Sequence, residues 1–483
     1  MSARPAETSV AQALVVKDSH RKYVRHILGH ATKKAGLRRF LHQLKAVCPV
    51  TWDGEQDRHP CHVALGLTYA GLLELPVPRH VRLVLRQRAA AFCDGAAARA
   101  AQRLGDGGSN APAWWDEAFD AQKLHFVLTL HADDQKTLAQ TTEAIEQARD
   151  TGNPVAWKKP VDGAWIGCPD GEEGQWVHFG LRDGLSHLRL RGRGRSDAMP
   201  DAGVAAGELL LGHPREHGDN PWLLARQRSQ LLRELFLDGS FGVLRKIEQH
   251  VARFEAHVKQ AATALADQWP PDQPKPVEWR DYVKAKFCGR WPDGRAFGGA
   301  PWVAPADKKD PPPEELDFTG DKQGLGCPFG AHVRRLNPRS AGTESADAVV
   351  HARLRVLARR GRPYGPANWE GTEDGIERGL LGVFFCASLE DQFEHLLGHW
   401  ADAVPLGLPD RGRAKDPLIG AHEDPSARFD IPLQDRPAPI LPALPAFVRT
   451  RGTAYAFYPG RRGLQLLLEE HDLLDRDQDE PLP

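Results

Sequence analysis

Three short segments carry residues whose types and spacing could do chemistry. In Gly326-Cys-Pro-Phe-Gly-Ala-His-Val-Arg-Arg-Leu-Asn-Pro-Arg339, one histidine, His332, stands between turn-forming residues and a run of arginines. A neutral imidazole is a natural iron ligand, and guanidinium groups nearby can pair with the carboxylates of a porphyrin. Taken alone the signal is weak, because one histidine among 21 is more often a structural or surface residue. In Phe179-Gly-Leu-Arg-Asp-Gly-Leu-Ser186, flanking glycines hold Asp183 in a constrained turn and let the backbone approach another group closely. Asp-Gly is also a strong hairpin signal, and a plain hairpin is the simpler reading of those residues alone. Leu357-Ala-Arg-Arg-Gly-Arg-Pro-Tyr-Gly365 is a basic turn with an aromatic residue, read by itself as a solvated loop or a nonspecific anion contact.

The elements around these segments follow from periodicity. His125–His131 is β-branched and apolar, hence a strand, and Gln135–Arg149 lacks Gly and Pro and predicts a helix ending before Gly152 and Pro154. Gly379–Ala387 is an apolar run of strand length, after which Ser388-Leu-Glu-Asp391 offers a capping box for a helix over Gln392–Trp400. Phe447–Tyr458 predicts another strand, Leu464–Leu474 a terminal helix, and the stretch from Arg245 to Ala264 a helix. Leu37, Phe40, Leu41 and Leu44 share one helical face beside the basic residues Lys33, Lys34, Arg38 and Arg39, which are expected to meet water. A strand followed by a helix thus recurs in both halves, which fits two α+β units, with no repeat in residue identity. The Pro-rich stretch from 269 to 314 reads as a long excursion, functional or wrapped over the surface.

Composition sets the bounds. A chain of 483 residues has room for two to four domains and a buried cavity. Lys plus Arg total 63 against 64 for Asp plus Glu, so no overall basic field exists to gather nucleic acid or acidic membrane. A hydrophobic fraction of 41% with 26% charged residues is that of an ordinary soluble globular protein. The opening residues show no apolar stretch behind a basic start, and the seven cysteines include no C-x-x-C pair. Reduced thiols in the cytoplasm are therefore expected, without a zinc site or disulfide framework.

Taken together, the three segments resemble the dye-decolourising peroxidase family. Its signature pieces are an early G-x-x-D-G, a C-P-x-G-A-H-x-R-x-x-N-P-R block and an R-R-G-x-P-Y-G block, and all three occur here in that order. Leu65–Leu72, Asp238–Phe241 with Arg245–Gln249, Gly289–Gly294, Arg378–Leu381 through Asp391–Phe393, Asp416–Gly420 and Phe447–Pro459 extend the match from about residue 40 to 475.

The resemblance implies an α+β fold of two ferredoxin-like domains, of the dimeric α/β-barrel type, with haem in the C-terminal one. The expected division is an N-terminal extension at 1–40, a first domain at 41–215, a haem-binding domain at 216–475 and a tail at 476–483. His332 is implied as the metal ligand of one haem b per chain. Asp183 is implied as the proton relay reaching over from the first domain, and Arg359 as the distal arginine, with Arg360 in reserve. Arg339 is implied as a partner of a haem propionate. An acid supporting the proximal histidine is expected at Asp416, with Glu423 and Asp424 also open. Hydrogen peroxide and an organic donor, dye-like or phenolic, are the implied partners, with no nucleic acid and no membrane. A haem-handling protein that removes iron or stores porphyrin is the alternative, and an RNA-binding ferredoxin-like protein the remote one. The sequence departs from the family at His187, which adds a titratable group after the distal turn. It also departs at Gly382, where a phenylalanine is missing and Phe384 or Phe385 would have to fill the wall.

Overall fold

The computed structural model describes residues 11–121, 123–169, 174–191, 203–216, 230–298, 300–304, 316, 318, 320–337, 355–402, 415–422 and 425–469. Strand β1 (Tyr23–Ala31) sends neighbouring residues to opposite faces, so Ile27 and Leu28 enter different cores. Helix α1 (Gly36–Val47) buries Leu37, Phe40, Leu41 and Leu44 as one stripe, each worth about 1.5–3 kcal/mol in transfer free energy. Strands β2 (Cys61–Leu67) and β3 (Phe126–Ala132) follow, and then helix α2 (Gln135–Asp150), which the Asp134 carboxylate caps by accepting from Thr137 N at 2.7 Å. Strand β4 (Val155–Trp157) closes a β-α-β-β-α-β unit whose antiparallel order is β4-β1-β3-β2. Strand β5 (Val161–Ala164) adds to the edge of β1, and a hairpin of β6 (Trp176–Val177) and β7 (Leu181–Arg182) stands apart.

The second half repeats the layout. Strand β8 (Ser240–Gln249) leads into helix α3 (Val251–Asp267), and helices α4 (Trp279–Cys288) and α5 (His332–Leu336) precede strands β9 (Ala358–Tyr364) and β10 (Gly379–Cys386). A π-helical stretch, Leu389–Glu394 and Leu396–Ala401, then returns the chain to β11 (Val448–Tyr458), before a last helix α6 (Arg461–Leu468). The order β11-β8-β10-β9 matches that of the first unit, and the two meet where Leu67 of β2 pairs with Phe457 of β11. At the other edge, a Cβ on Gly163 of β5 would lie 2.8 Å from the Pro363 carbonyl of β9, so only glycine lets the strands approach so closely. The sheet thus curls back on itself, the α+β barrel layout that the resemblance implies.

Several expectations need correction. Residues 1–40 are not simply an extension, since β1 lies in the middle of the first unit and the boundary at 40 cuts α1. Residues 245–249 are strand, and the helix begins at Val251. Arg245 and Lys246 look helical in sequence because they are charged. In the sheet, Asp106 grips Arg245, and Asp116 with Glu377 holds Lys246, all from distant segments. The Pro-rich excursion is not structureless, because α4 lies within it. The capping serine works as read, with Ser388 Oγ accepting from Asp391 N at 3.1 Å, although the helix it starts is wound as π. The last helix begins at Arg461 and is described to Leu468, and residues 470–483 lie outside the described residues.

Candidate active site

His332 opens α5, and its surroundings fix the loop that carries it. The Asp321 carboxylate accepts from Cys327 N at 2.8 Å and from Arg334 at 3.0 Å, while the Lys286 ammonium donates to the carbonyls of Leu325 and Gly326 at 2.7 and 2.5 Å. Gly289, in left-handed conformation at the end of α4, packs so tightly that a Cβ there would meet Cys327 Sγ at 3.0 Å. On the imidazole itself, Nδ1 lies 2.9 Å from Asp416 Oδ2. Asp416 is fully buried, and its other oxygen accepts from Leu418 N and Ile419 N at 2.9 and 3.0 Å. Burial pushes the Asp416 carboxyl up, but the His332 imidazole, Arg335 and the Leu418 amide prevail and hold it below the usual carboxylate range. Nε2 of His332 has no hydrogen-bond partner among the described residues. Of the three acids left open, Asp416 is in contact with His332, and Glu423 and Asp424 lie outside the described residues.

Asp183 follows the β6–β7 hairpin. The hairpin exists, but its turn is His178–Gly180, with Gly180 at φ 69°, so the Asp183-Gly184 dipeptide comes after the second strand. Aromatic burial aims it: Phe179 stacks on Phe254 of α3 with ring centroids 4.2 Å apart, within the core of the second half. Arg182 N donates to Pro292 O and Asp183 N to Gln175 O, both at 2.8 Å. The Asp183 carboxylate then sits 4.0 Å from the Arg359 guanidinium, and both side chains are close to half exposed. Neither side chain has another polar partner among the described residues.

Strand alternation separates the two candidate arginines. Arg360 points into the barrel, where it donates to the carbonyls of Leu14 and Val15 at 3.0 and 3.2 Å, and burial pulls its guanidinium down to about 10. Arg359 points the other way, onto the face shared with its register partner Phe384 and with the facing pair Gly361 and Gly382. Phe384 fills the missing wall: a Cβ on Gly382 would lie 2.6 Å from its ring. Phe385 belongs to the opposite face, packed on Tyr458. Arg334 and Arg335, expected near porphyrin carboxylates, are instead buried on protein partners, Asp321 and the Ala401 carbonyl. Arg339 lies outside the described residues.

Comparison with known proteins agrees with this geometry. The family model described as "DyP dimeric alpha+beta barrel domain" matches residues 20–160. A dye-decolorizing peroxidase of Mycena epipterygia is 28% identical over 393 residues, 74% of this chain and 68% of that protein. The chain is similar to the dye-decolourising peroxidases along most of its length. Among solved structures, a dye-decolorizing peroxidase in complex with 2,6-dimethoxyphenol aligns at a TM-score of 0.73 and 22% identity, covering 97% of this chain and 100% of that one. One engineered in its heme pocket for asymmetric sulfoxidation aligns at 0.75 and 19% over the same shares. At such identities the solved structures speak for the fold.

The residues of this peroxidase fit a haem. His332 offers an Nε2 with no partner among the described residues, backed by a buried carboxylate, and Gly361 leaves the strand surface open beside Arg359. Cys288, at the end of α4, lies within electrostatic reach of both sides. Burial pushes its thiol up to about 11, opposed by Arg290 and reinforced by the charges of both Asp183 and Asp416. No group of three or more metal-ligating side chains occurs among the described residues, and haem iron needs only one. The sequence reading missed Lys286 and Asp321. The available signal for Lys286 was a lysine within the apolar run Tyr282-Val-Lys-Ala-Lys-Phe287, where a charge must find internal partners.

Proposed function

We propose that the chain is a peroxidase that reduces hydrogen peroxide and oxidises an organic donor of the phenolic or dye class, using one haem b held by the second unit. In this reading, His332 binds iron through Nε2, and Asp183 and Arg359 act on the peroxide side. The observation that carries it is the His332–Asp416 pair at 2.9 Å, which leaves the opposite ring nitrogen free for a metal. Bound haem would supply the redox centre where peroxide is cleaved and from which electrons pass to the donor one at a time.

The chain's own residues do the rest. Asp416 keeps the Nδ1 proton on His332 and raises the ring's basicity, as a carboxylate behind a ligating histidine does. The Asp183 carboxylate is placed to accept a proton from incoming peroxide and return it to the departing oxygen. Arg359 supplies fixed positive charge where that oxygen gains negative charge. Arg339 stays the proposed partner of a propionate, since Arg334 and Arg335 are already engaged. Binding of 2,6-dimethoxyphenol by a related peroxidase supports a phenolic donor. The seven cysteines, spread singly and without a C-x-x-C pair, support a reducing, cytoplasmic setting.

Loading the full chain with haem and mixing it with hydrogen peroxide in a stopped-flow spectrophotometer tests the proposal. A Soret band that changes rapidly on mixing, and returns when a phenol is added, is expected. Tight porphyrin binding with negligible peroxide turnover would overturn it in favour of a haem-handling role.

A further inference from the structure

His187 lies four residues beyond Asp183 and makes an edge contact with His20, ring centroids 5.7 Å apart at 74°. His20 is held in an unusual way. Its φ of 53° is left-handed, a conformation a histidine rarely adopts, and every neighbour on the segment is pinned. Asp18 pairs with Arg362 at 3.3 Å, both side chains buried. Ser19 Oγ bonds His62 Nδ1 at 3.0 Å, and the Arg21 carbonyl accepts from Arg362 Nε at 3.1 Å while its guanidinium donates to the His59 carbonyl at 2.8 Å. The segment therefore presents the His20 ring to the loop that carries Asp183.

The loop between the two residues has little slack. Asp183 N is bonded to Gln175 O at 2.8 Å, a Cβ on Gly184 would lie 2.4 Å from Gln175 Oε1, and Leu185 is buried. Its two ends rest on the same strand. Asp183 faces Arg359, and His187 reaches Arg362 of β9 through His20 and Asp18.

We propose that His187 is a positioning residue for Asp183: its contact with His20 anchors the distal loop to β9, and a charge on the His20 ring loosens that anchor. The proposal rests on the function given above. The charged groups facing His20 are Lys17 and Asp18 on its own segment, His187 on the distal loop and Arg362 on β9. Burial, with His187, Lys17 and Arg362, outweighs Asp18 and pulls His20 below the ordinary histidine range. The sign follows. At neutral pH the His20 ring is uncharged and meets His187; as pH falls below the ordinary histidine range, His20 takes up a charge on that contact, and Asp18 is already committed to Arg362.

Two variants test this in the haem-loaded full chain. His187→Phe keeps a ring without a charge, and His20→Asn keeps a residue type that tolerates left-handed backbone. Wild-type peroxide rates are expected to fall about threefold to tenfold between pH 7 and 5, the scale of a charge introduced at this separation, with a parallel shift of the Soret band. Both variants should lose that extra fall and the band shift. Histidine ring NMR of the full chain should show the His20 midpoint moving up in His187→Phe. An unmoved His20 midpoint, or pH profiles in both variants that superimpose on wild type, overturns the proposal. If Asp183→Asn has lost peroxide cleavage while those profiles superimpose, the anchor is refuted and the peroxidase reading stands. If Asp183→Asn also behaves as wild type, both fall.

Discussion

Asp416 Oδ2 stands 2.9 Å from His332 Nδ1, although 84 residues of chain separate them, and the carboxylate is wholly shielded from water. Replacing Asp416 by Ala would orphan the imidazole proton and the amides of Leu418 and Ile419, at about 1–3 kcal/mol for each buried group left unsatisfied. Asp416→Asn keeps the shape but not the charge, and should weaken haem binding about 10–100-fold, read by haem titration. The pH dependence has a definite sign. Because the folded carboxyl ionises below its ordinary 3.8, its contribution is present above about pH 4 and is lost as the pH falls further. Acid unfolding of Asp416→Asn should accordingly be flatter than that of the parent in that window.

His332→Ala should abolish stable haem binding, because no other protein atom takes the place of Nε2. His422→Gln should retain a full complement. Its ring bonds the Asp416 carbonyl through Nε2 at 2.9 Å, close to the site but turned to the backbone. Absorption spectra of the two purified variants decide the matter, and a normal Soret band from His332→Ala would remove the ligand assignment.

On the peroxide side, Asp183→Asn should slow peroxide cleavage about 10²–10⁴-fold and flatten its pH dependence. Arg359→Leu should slow the same step with its pH dependence kept, since a guanidinium does not titrate in the working range. Neither change should release haem. Stopped-flow rate constants between about pH 4 and 8 separate the two roles.

Arg359 and Arg360 should fail in different ways. Arg360→Leu orphans two buried carbonyls, those of Leu14 and Val15, so thermal unfolding should drop by several degrees. Arg359→Leu, on a half-exposed side chain, should leave the melting temperature nearly unchanged while reducing the rate. The reverse pattern would exchange their roles.

Gly382→Ala should press its new methyl onto the Phe384 ring, now only 2.6 Å from where that Cβ would lie. Overpacking of this kind costs about 1–3 kcal/mol unless the ring swings away. A displaced ring should change the Soret maximum of the loaded protein. An unchanged spectrum and stability would mean Phe384 does not form that wall.

The sequence alone carried the family resemblance and named the candidate reactive groups. Segments such as Gly379–Cys386 and Val448–Tyr458 announce strands by their length and their apolar and β-branched residues, and ordered motif blocks survive without any knowledge of contacts. It could not reveal β1 or β8, whose His26, Arg25, Arg245 and Lys246 break the apolar pattern. Those charges and rings are tolerated inside only because Asp162, Thr129, Asp106 and Asp116 arrive from elsewhere to satisfy them. The contact of Asp416 with His332, and the separation of Arg359 from Arg360, likewise waited for tertiary structure. Adjacent strand residues point to opposite faces, and only the packing of the two halves decides which face joins the core and which carries Arg359.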